Sequence, residues 1–402
     1  MRIEQRIKVT FHYTIHFTHD VFHPENCVLK EVLKDPQSKI MVFLDSGVVA
    51  SWPGIGHRIE NWFRIHTRCA DIVSPAVVLD GGERCKNDFK HYKDIAYALR
   101  LNKLDRHSYI VIVGGGAVLD AVGFIASISQ RGIRHIRVPT TVLSQNDSGV
   151  GVKNGINFFG VKNYFGTFTP PYAVINDFDF LKTLDTRDWL SGVSEAFKVA
   201  IIKDRSFLEY LVSKSKELFR HDAEVMERLI IRCVQLHTDH IASGNDPFEN
   251  GSSRPLDFGH WSGHYLEAMS GYELRHGEAV ALGLVLDMTI AKNRGLVNKD
   301  EYDFVYYGLK YCGFLLWHPL LEKREDGKFL NIYHGLEEFR QHMGGKLTLI
   351  MPDHLGSSCQ INSISHDEIE QAVKKMKEIY DVCPAGYPEK TDRGKQVSGS
   401  QK

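Results

Sequence analysis

Val111–Asp120 reads VIVGGGAVLD. Its start closes a longer apolar run, Ser108–Val113 (SYIVIV), and its end opens a helical pattern. A short, unbroken apolar run bounded by glycine marks a strand buried on both faces. The glycines that follow, Gly114, Gly115 and Gly116, let the backbone approach a ligand closely. A helix starting there turns free N–H groups and the positive end of its dipole toward phosphate. The spacing is not GxGxxG, because the third glycine is missing at the expected place. The stretch alone therefore fits either a ligand-binding turn or a tight turn without a ligand.

Outward from this turn the same grammar repeats. Lys39–Leu44 (KIMVFL) is a second buried run and ends in Asp45-Ser46. His135–Val138 is a further strand, followed by Pro139-Thr140-Thr141, and Val9–Phe17 alternates in places. Strands alternating with helices predict an open, Rossmann-like parallel sheet, with ligands at the carboxyl ends of its strands. Hydroxyls such as Thr140 and Thr141 serve there as ligand contacts or as helix caps.

The apolar spacing turns helical near Leu184. Val193–Ile202, Phe207–Leu218, Ala223–Thr238, Trp261–Met269, His276–Arg294 and Lys299–Cys312 all read as helices, and strand signals nearly vanish apart from Leu347–Met351. The expectation is an α/β domain over residues 1–185, a mainly α-helical domain over 186–384 and a disordered tail over 385–402. The chain has 402 residues, 43% hydrophobic and 25% charged, with a net charge of -1. No basic excess in that balance argues for nucleic acid or an anionic membrane as a partner. Seven cysteines without a CxxC pair argue against a disulfide framework or a cysteine zinc site. With no apolar signal core and no spanning stretch, a cytoplasmic location is expected.

Two polar regions carry the chemistry. Gln145–Asn163 (QNDSGVGVKNGINFFGVKN) sets Asp147, Lys153, Asn157, Lys162 and Asn163 among glycines. It suits a surface loop, or a site whose lysines hold phosphate without obstruction. Further on come GVSEAFK (192–198), DFGHWSGH (257–264) and RHGEAV (275–280). Glu195 and Lys198 share a helical face, as do His260 and His264, and His276 opens a very apolar helix. A carboxylate and imidazoles from separate helices can bind zinc or a similar ion while leaving positions for substrate. His237 and His240 lack flanking glycines and are expected on a solvated helix face.

These blocks resemble the sugar phosphate cyclases, whose best-known member is 3-dehydroquinate synthase. The resemblance runs from about Asp45 to Ala291 through GGGAVLDAVGF, RGIRHIRVPTTVLSQNDSGVGVKNGIN, VKNYFGTF, FLKTL, GVSEAFK, DFGHWSGH and RHGEAVALG. It implies that Glu195, His260 and His276 are metal ligands for zinc or cobalt and that His264 is the catalytic histidine beside them. It places Asp45, Glu83, Lys86, Gly115, Gly116, Asp120, Thr140, Thr141, Lys162, Thr183 and Leu184 at NAD contacts, with Asp188 where the family usually has glutamate. Arg131, Lys153 and Asn163 resemble phosphate-binding positions, Arg131 reaching a neighbouring subunit of a homodimer. Asp147 and Lys198 resemble contacts to substrate hydroxyls, and Glu249 joins Lys153 among the positions assigned to catalysis. The implied chemistry is a lyase reaction: transient oxidation by NAD, phosphate elimination, return of the hydride, and an intramolecular aldol that closes a carbocycle.

The chain departs from dehydroquinate synthases where those enzymes grip a carboxylate. Their LRNLLNFGH motif becomes SSRPLDFGH (252–260). An arginine is replaced by Ser253, with Arg254 one residue late, and an asparagine by Asp257. An upstream lysine becomes Asp239, and the usual DKK gives way to FRQHMGGK, leaving Arg340 as the nearest basic residue. Cations are lost and anions appear, which disfavours an anionic carboxylate. The resemblance therefore implies a sugar phosphate without a carboxylate, as for cyclases of sedoheptulose 7-phosphate and the related cyclase of ebo/edb gene clusters, yielding a cyclitol. The alternatives are an ordinary 3-dehydroquinate synthase and a metal-dependent NAD alcohol dehydrogenase.

Overall fold

The computed structural model describes residues 2–33, 35–66, 71–87, 89–159, 161–243, 248, 255–325 and 327–382. Its strands are β1 (Thr14–Thr18), β2 (Lys39–Asp45), β3 (Asp71–Ile72), β4 (Val77–Leu79), β5 (Tyr109–Gly114), β6 (Arg134–Pro139), β7 (Lys153–Phe158), β8 (Val161–Phe168), β9 (Ala173–Asp177), β10 (Leu349–His354) and β11 (Ser357–Ile361). Contacts gather the chain into two compact units. One holds Met1–Ala196 and Ala223–Gly251, the other Phe197–Asp222 and Ser252–Lys402.

The first unit is built on a parallel sheet in the order β1-β9-β6-β5-β2-β3, with β4 also paired to β2. Side chains alternate across its faces, and both faces are covered. Ile40, Val42, Leu44, Tyr109, Val111 and Val113 enter one apolar cluster. Met41, Phe43, Ile110 and Ile112 enter the other. That double burial is why KIMVFL and SYIVIV read as unbroken apolar runs. Each such side chain contributes roughly 1.5–3 kcal/mol of burial.

Gln145–Asn163 is not a loop throughout. It contains a π-helical turn, Ser144–Ser148, and most of an antiparallel ribbon made by β7 and β8. The organising group is Arg137, fully buried at 0% exposure on β6. Its guanidinium donates to the carbonyls of Gly149, Gly151 and Lys153, each at 3.0 Å, and to Asn154 Oδ1 at 2.6 Å. The planar fork satisfies several turn carbonyls at once, which no ladder strand supplies.

In the second unit the expected helices appear as Arg205–Ser213, Ser215–Phe219, His260–Met269, His276–Asn293 and Lys299–Tyr311. The pattern Phe207–Leu218 is thus broken at Lys214. The strand expected at Leu347–Met351 becomes a hairpin of β10 and β11. The division differs from a single boundary near 185. It falls inside the Thr186–Lys203 helix and returns the Ala223–Ser243 helix to the first unit. The physical cause lies at the π-turn: Asn146 Nδ2 donates to Gly192 O at 2.7 Å and approaches Cys233 Sγ at 3.9 Å. The expected tail, 385–402, lies outside the described residues. Among the described residues no helix is long and apolar enough to cross a membrane.

Replacing Arg137 by Met leaves the buried acceptors of residues 149–154 without their donors. Urea unfolding is expected to show a loss of about 3–5 kcal/mol. A change below about 1 kcal/mol would contradict the organising role given to this side chain.

Candidate functional site

In the first unit, the carboxyl ends of β2 and β5 meet in a cradle of backbone. Asp45 ends β2 and caps the next helix, accepting the Gly47 N–H at 2.8 Å and the Gly115 N–H at 3.4 Å. A Cβ on Gly81 would lie 2.2 Å from Asp45 Oδ1, and one on Gly116 would lie 2.7 Å from Ser148 Oγ. Only glycine permits that approach. Gly115 is the N-cap of the Gly116–Ile128 helix, so the first free N–H groups of that helix belong to the turn. The Thr140 N–H donates to Gly114 O at 3.1 Å, and the Thr141 and Ser144 hydroxyls lie 2.8 Å apart. Asp45, Gly115, Gly116, Thr140 and Thr141 are thus brought together.

A second network stands beside the opening of the ribbon. Lys86 is 3% exposed and its Nζ lies 2.8 Å from Asp120 Oδ2, while it also donates to Asn163 Oδ1. Glu83 Oε1 accepts from Asn157 at 2.7 Å, and Asn157 Oδ1 accepts the Asn163 N–H at 2.8 Å. Asn157 carried no assigned role in the sequence reading, yet it joins Glu83 to Asn163. The ribbon register sets Lys153 opposite Phe168, at the far end from Asn163. At about 3.3 Å per residue, Lys153 and Asn163 do not stand side by side on the ribbon. Lys162 is half-buried on β8. Cys85, buried in this region, is no thiolate: burial, reinforced by Asp45, pushes its thiol up to about 12.

Other expected residues fall nearby in the chain but in separate contacts. Thr183 Oγ1 accepts the Trp52 indole N–H at 3.2 Å, and the Leu184 N–H bonds to Leu181 O. Asp188 sits in the first turn of the Thr186–Lys203 helix, its N–H bonded to Asp185 Oδ1 at 2.8 Å. On that helix Glu195 and Lys198 are both 3% exposed. Arg131 is exposed in a turn where Gln130, Arg131 and Gly132 have φ of 52°, 65° and 113°. Such left-handed backbone costs about 1–3 kcal/mol at a non-glycine residue.

One expectation is corrected. His237 does not occupy a solvated face. Its side chain is 17% exposed, and its Nδ1 lies 3.2 Å from Asp147 Oδ1. Gly151 makes room for this ring, since a Cβ there would lie 3.3 Å from His237 Nε2. The helical pattern placed His237 on a face but said nothing of what packs on that face.

In the second unit, His260, His264 and His276 each offer a ring nitrogen within 4.8 Å of the others. Their ring centroids stand 5.1, 5.7 and 5.4 Å apart. Small side-chain rotations bring such nitrogens to the separation of about 3.3 Å found around a tetrahedral ion. His260 Nδ1 lies 3.0 Å from Phe258 O, and His276 Nδ1 lies 3.2 Å from Glu267 Oε2. Both acceptors take the Nδ1 proton, which leaves each Nε2 with a lone pair for an ion. His260 is buried, His276 half-buried and His264 exposed.

Two helices hold this trio through backbone contact. Gly259 precedes the His260–Met269 helix with φ of 75°. A Cβ on Gly283 would fall 2.0 Å from Gly259 O, and one on Gly263 would fall 3.2 Å from Ala279 O. Asp287, on the same helix as Gly283, is 1% exposed. It accepts the Gly259 N–H at 2.9 Å and the Trp261 indole N–H at 2.8 Å. Burial pushes its carboxyl up to about 7 against the pull of those two bonds.

Of the positions expected to set substrate choice, Asp257 lies half-buried in the short turn Pro255–Asp257. Asp239 is exposed on the Ala223–Ser243 helix. Arg340, also exposed, is bonded to Glu337 at 2.9 and 2.6 Å. Glu249, Ser253 and Arg254 lie outside the described residues.

Comparison with known proteins follows the same blocks. Residues 76–191 match the family description "3-dehydroquinate synthase N-terminal", and residues 192–335 match "3-dehydroquinate synthase C-terminal". The chain is 35% identical over 300 residues to a 3-dehydroquinate synthase of Aliivibrio fischeri (strain MJ11), covering 74% of this chain and 81% of that one. It is 32% identical over 297 residues to a 2-epi-valiolone synthase of Actinosynnema mirum, covering 74% and 76%. Among solved structures, the 2-epi-5-epi-valiolone synthase ValA of Streptomyces hygroscopicus subsp. jinggangensis 5008, with NAD+ and Zn2+ bound, superposes with a TM-score of 0.83 at 25% identity. That match covers 94% of this chain and all of the other.

Gly283→Ala tests the helix contact. The added methyl must displace Gly259, with an expected cost of about 1–3 kcal/mol. The same shift moves His260, so the purified variant is expected to retain less zinc after dialysis than the wild-type chain. An unchanged melting point together with full zinc content would show that the contact does not position the histidines.

Proposed function

The chain belongs to the 3-dehydroquinate synthase family of sugar phosphate cyclases, and from that premise we propose that it converts a heptulose phosphate lacking a carboxylate, of the sedoheptulose 7-phosphate type, into a cyclitol. The observation that carries the substrate reading is the charge of the segment entering the histidine helix. Asp257 stands three residues before His260, and Ser253 takes the place of the family's arginine. A second anion about 4 Å from Asp257 would be repelled by roughly 1–4 kcal/mol, depending on exposure. Support also comes from similarity to a 2-epi-valiolone synthase and to ValA.

NAD supplies reversible hydride acceptance at one substrate carbon, and a divalent ion, zinc or cobalt, supplies Lewis-acid polarisation of substrate oxygens. The imidazoles of His260 and His276, with their Nδ1 atoms engaged, fit such an ion, and the family resemblance adds the carboxylate of Glu195 as the third ligand. His264, the exposed member of the trio, moves protons at its ring nitrogen. The turn at Gly115 and Gly116 donates N–H groups to the dinucleotide phosphates. Asp45, Thr140 and Thr141 line that turn. Glu83, Lys86, Asp120, Lys162, Thr183, Leu184 and Asp188 complete the NAD contacts. The family resemblance offers Lys153, Arg131, Asn163 and Arg340 to the substrate phosphate, whose departing charge the cations among them would stabilise. Asp147 and Lys198 orient hydroxyls. Overall the elements of phosphoric acid leave and every carbon stays in the product.

The same reading includes a homodimer. Its support is the ribbon of β7 and β8, which pairs with no other strand among the described residues. Phe159, Val161, Tyr164 and Phe165 on it are 79%, 51%, 53% and 43% exposed. An aromatic patch of this kind calls for a partner surface. Phe159→Glu is expected to shift the chain toward monomer in sedimentation. A monomeric wild-type chain at micromolar concentration would refute the assembly.

The second reading, a 3-dehydroquinate synthase, is favoured by the 35% identity to the Aliivibrio enzyme. Incubation with NAD and zinc, using sedoheptulose 7-phosphate or the carboxylated heptulosonate phosphate, separates the two. Phosphate release and a cyclised product from the former alone are expected. Turnover of the carboxylated sugar alone would replace our reading with the second. Net NADH accumulation without phosphate release would instead mark an alcohol dehydrogenase. Ser253→Arg with Asp257→Asn is expected to move relative kcat/KM toward the carboxylated sugar by roughly tenfold or more, the worth of one charge-assisted hydrogen bond.

A further inference from the structure

Asp287 lies outside the groups assigned above, yet its geometry ties it to one of them. It is a carboxylate at 1% exposure on the His276–Asn293 helix. Both of its oxygens accept from N–H donors, and those donors belong to Gly259 and Trp261, the residues on either side of His260. The Gly259 N–H and the Phe258 carbonyl are the two ends of one planar peptide unit. That carbonyl accepts the His260 Nδ1 proton at 3.0 Å. The chain of contacts therefore runs from carboxylate to peptide N–H, through the peptide to its carbonyl, and on to the imidazole.

We propose that Asp287 is a positioning residue for the metal centre, acting on His260 through the Phe258–Gly259 peptide. An acceptor oxygen bonded to the N–H polarises the peptide and makes its carbonyl a stronger acceptor. A stronger bond at Nδ1 fixes the tautomer and ring angle of His260 and raises the basicity of its Nε2. His276 receives equivalent support directly from Glu267, whose Oε2 lies 3.2 Å from its Nδ1. The two imidazoles thus differ in mechanism: one has a carboxylate at its ring, the other a carboxylate one peptide away. The Trp261 bond occupies the second oxygen of Asp287 and holds it in line, without itself contacting His260 in the chain of donors. Gly259 is the residue whose left-handed φ of 75° presents its N–H to Asp287.

The inference rests on the reading of His260 and His276 as metal ligands. Its test uses the full chain, zinc in competition with a chromophoric chelator, and cobalt for visible spectra. Asp287→Asn keeps the size of the side chain but turns a donor toward one of the two N–H groups. It is expected to weaken zinc binding about 10–100-fold and to alter the cobalt absorption bands. Trp261→Phe keeps the Gly259 bond, so its zinc affinity is expected to change by well under about tenfold. Unchanged zinc affinity and cobalt bands in Asp287→Asn, with only a lower melting point of the metal-free chain, would reduce Asp287 to a packing brace. Should Asp287→Asn fail to fold, Trp261→Phe still decides, because a zinc loss there as large as in His276→Ala overturns the relay. Failure of the underlying reading looks different: His276→Ala would then bind zinc as the wild-type chain does.

Discussion

The second unit depends on how closely two helices approach through glycine. Gly259 O occupies the space where Gly283 would carry a side chain, and Gly263 lies against the backbone of Ala279 and Val280. Backbone-to-backbone contact leaves little freedom of rotation or sliding. His260 and His264 project from one helix, four residues apart, and His276 opens the other. With the helix pair fixed, three side chains from two elements converge without help from a loop. Leu284, buried, lies against Gly259, and the buried Trp261 is bonded to Asp287 beside the contact. Removing water strengthens the few polar links that remain, among them Asp287 to Gly259.

Buried polar groups elsewhere serve a similar purpose. Arg137, Lys86 and Asp287 are each at most 3% exposed. An isolated buried ion costs several kcal/mol, so each persists only with its partners in place. The backbone partners of Arg137 and Asp287 belong to irregular chain or to the start of an element. Arg137 binds carbonyls of residues 149–153 and Asp287 holds the turn before His260, whereas Lys86 meets the side chains of Asp120 and Asn163. Sheets and helices satisfy their own backbone, whereas these segments do not. Arg137 and Asp287 supply there what regular hydrogen bonding cannot, and they stand where the backbone must keep one shape.

Much of this was legible in the amino-acid order. Unbroken apolar runs located β2 and β5, because burial on both faces leaves no polar alternation. The triple glycine announced a turn where a Cβ at Gly116 would crowd Ser148 Oγ, and the paired histidines of GHWSGH announced one helical face. What stayed hidden was partnership. Periodicity put His237 on a helix but not against Asp147, and the same blindness concealed the return of the Ala223–Ser243 helix to the first unit. The β7–β8 ribbon was masked by its glycines and amides, which weaken strand patterning. Nothing in the order of residues singled out Asp287 within the apolar His276–Asn293 helix. Only the position of Gly259 across from it explains an acid there.

Fixed histidine helices also bear on how a change of substrate is tolerated. The segment before His260 carries the departures from the dehydroquinate synthase pattern, Ser253 and Asp257, while His260, His264 and His276 are intact. If the helix contact and the Asp287 bond hold the ring of His260, then charge in the preceding turn can vary without loosening the ion. A swap from cation to anion there alters the electrostatic cost of a carboxylate by a few kcal/mol, enough for discrimination of a hundredfold or so. The same swap would be far more damaging if the turn itself set the ligand geometry, since metal centres tolerate little displacement of their ligands. On the proposed reading, separation of the holding contacts from the selecting charges would let one scaffold serve substrates that differ in a single ionised group.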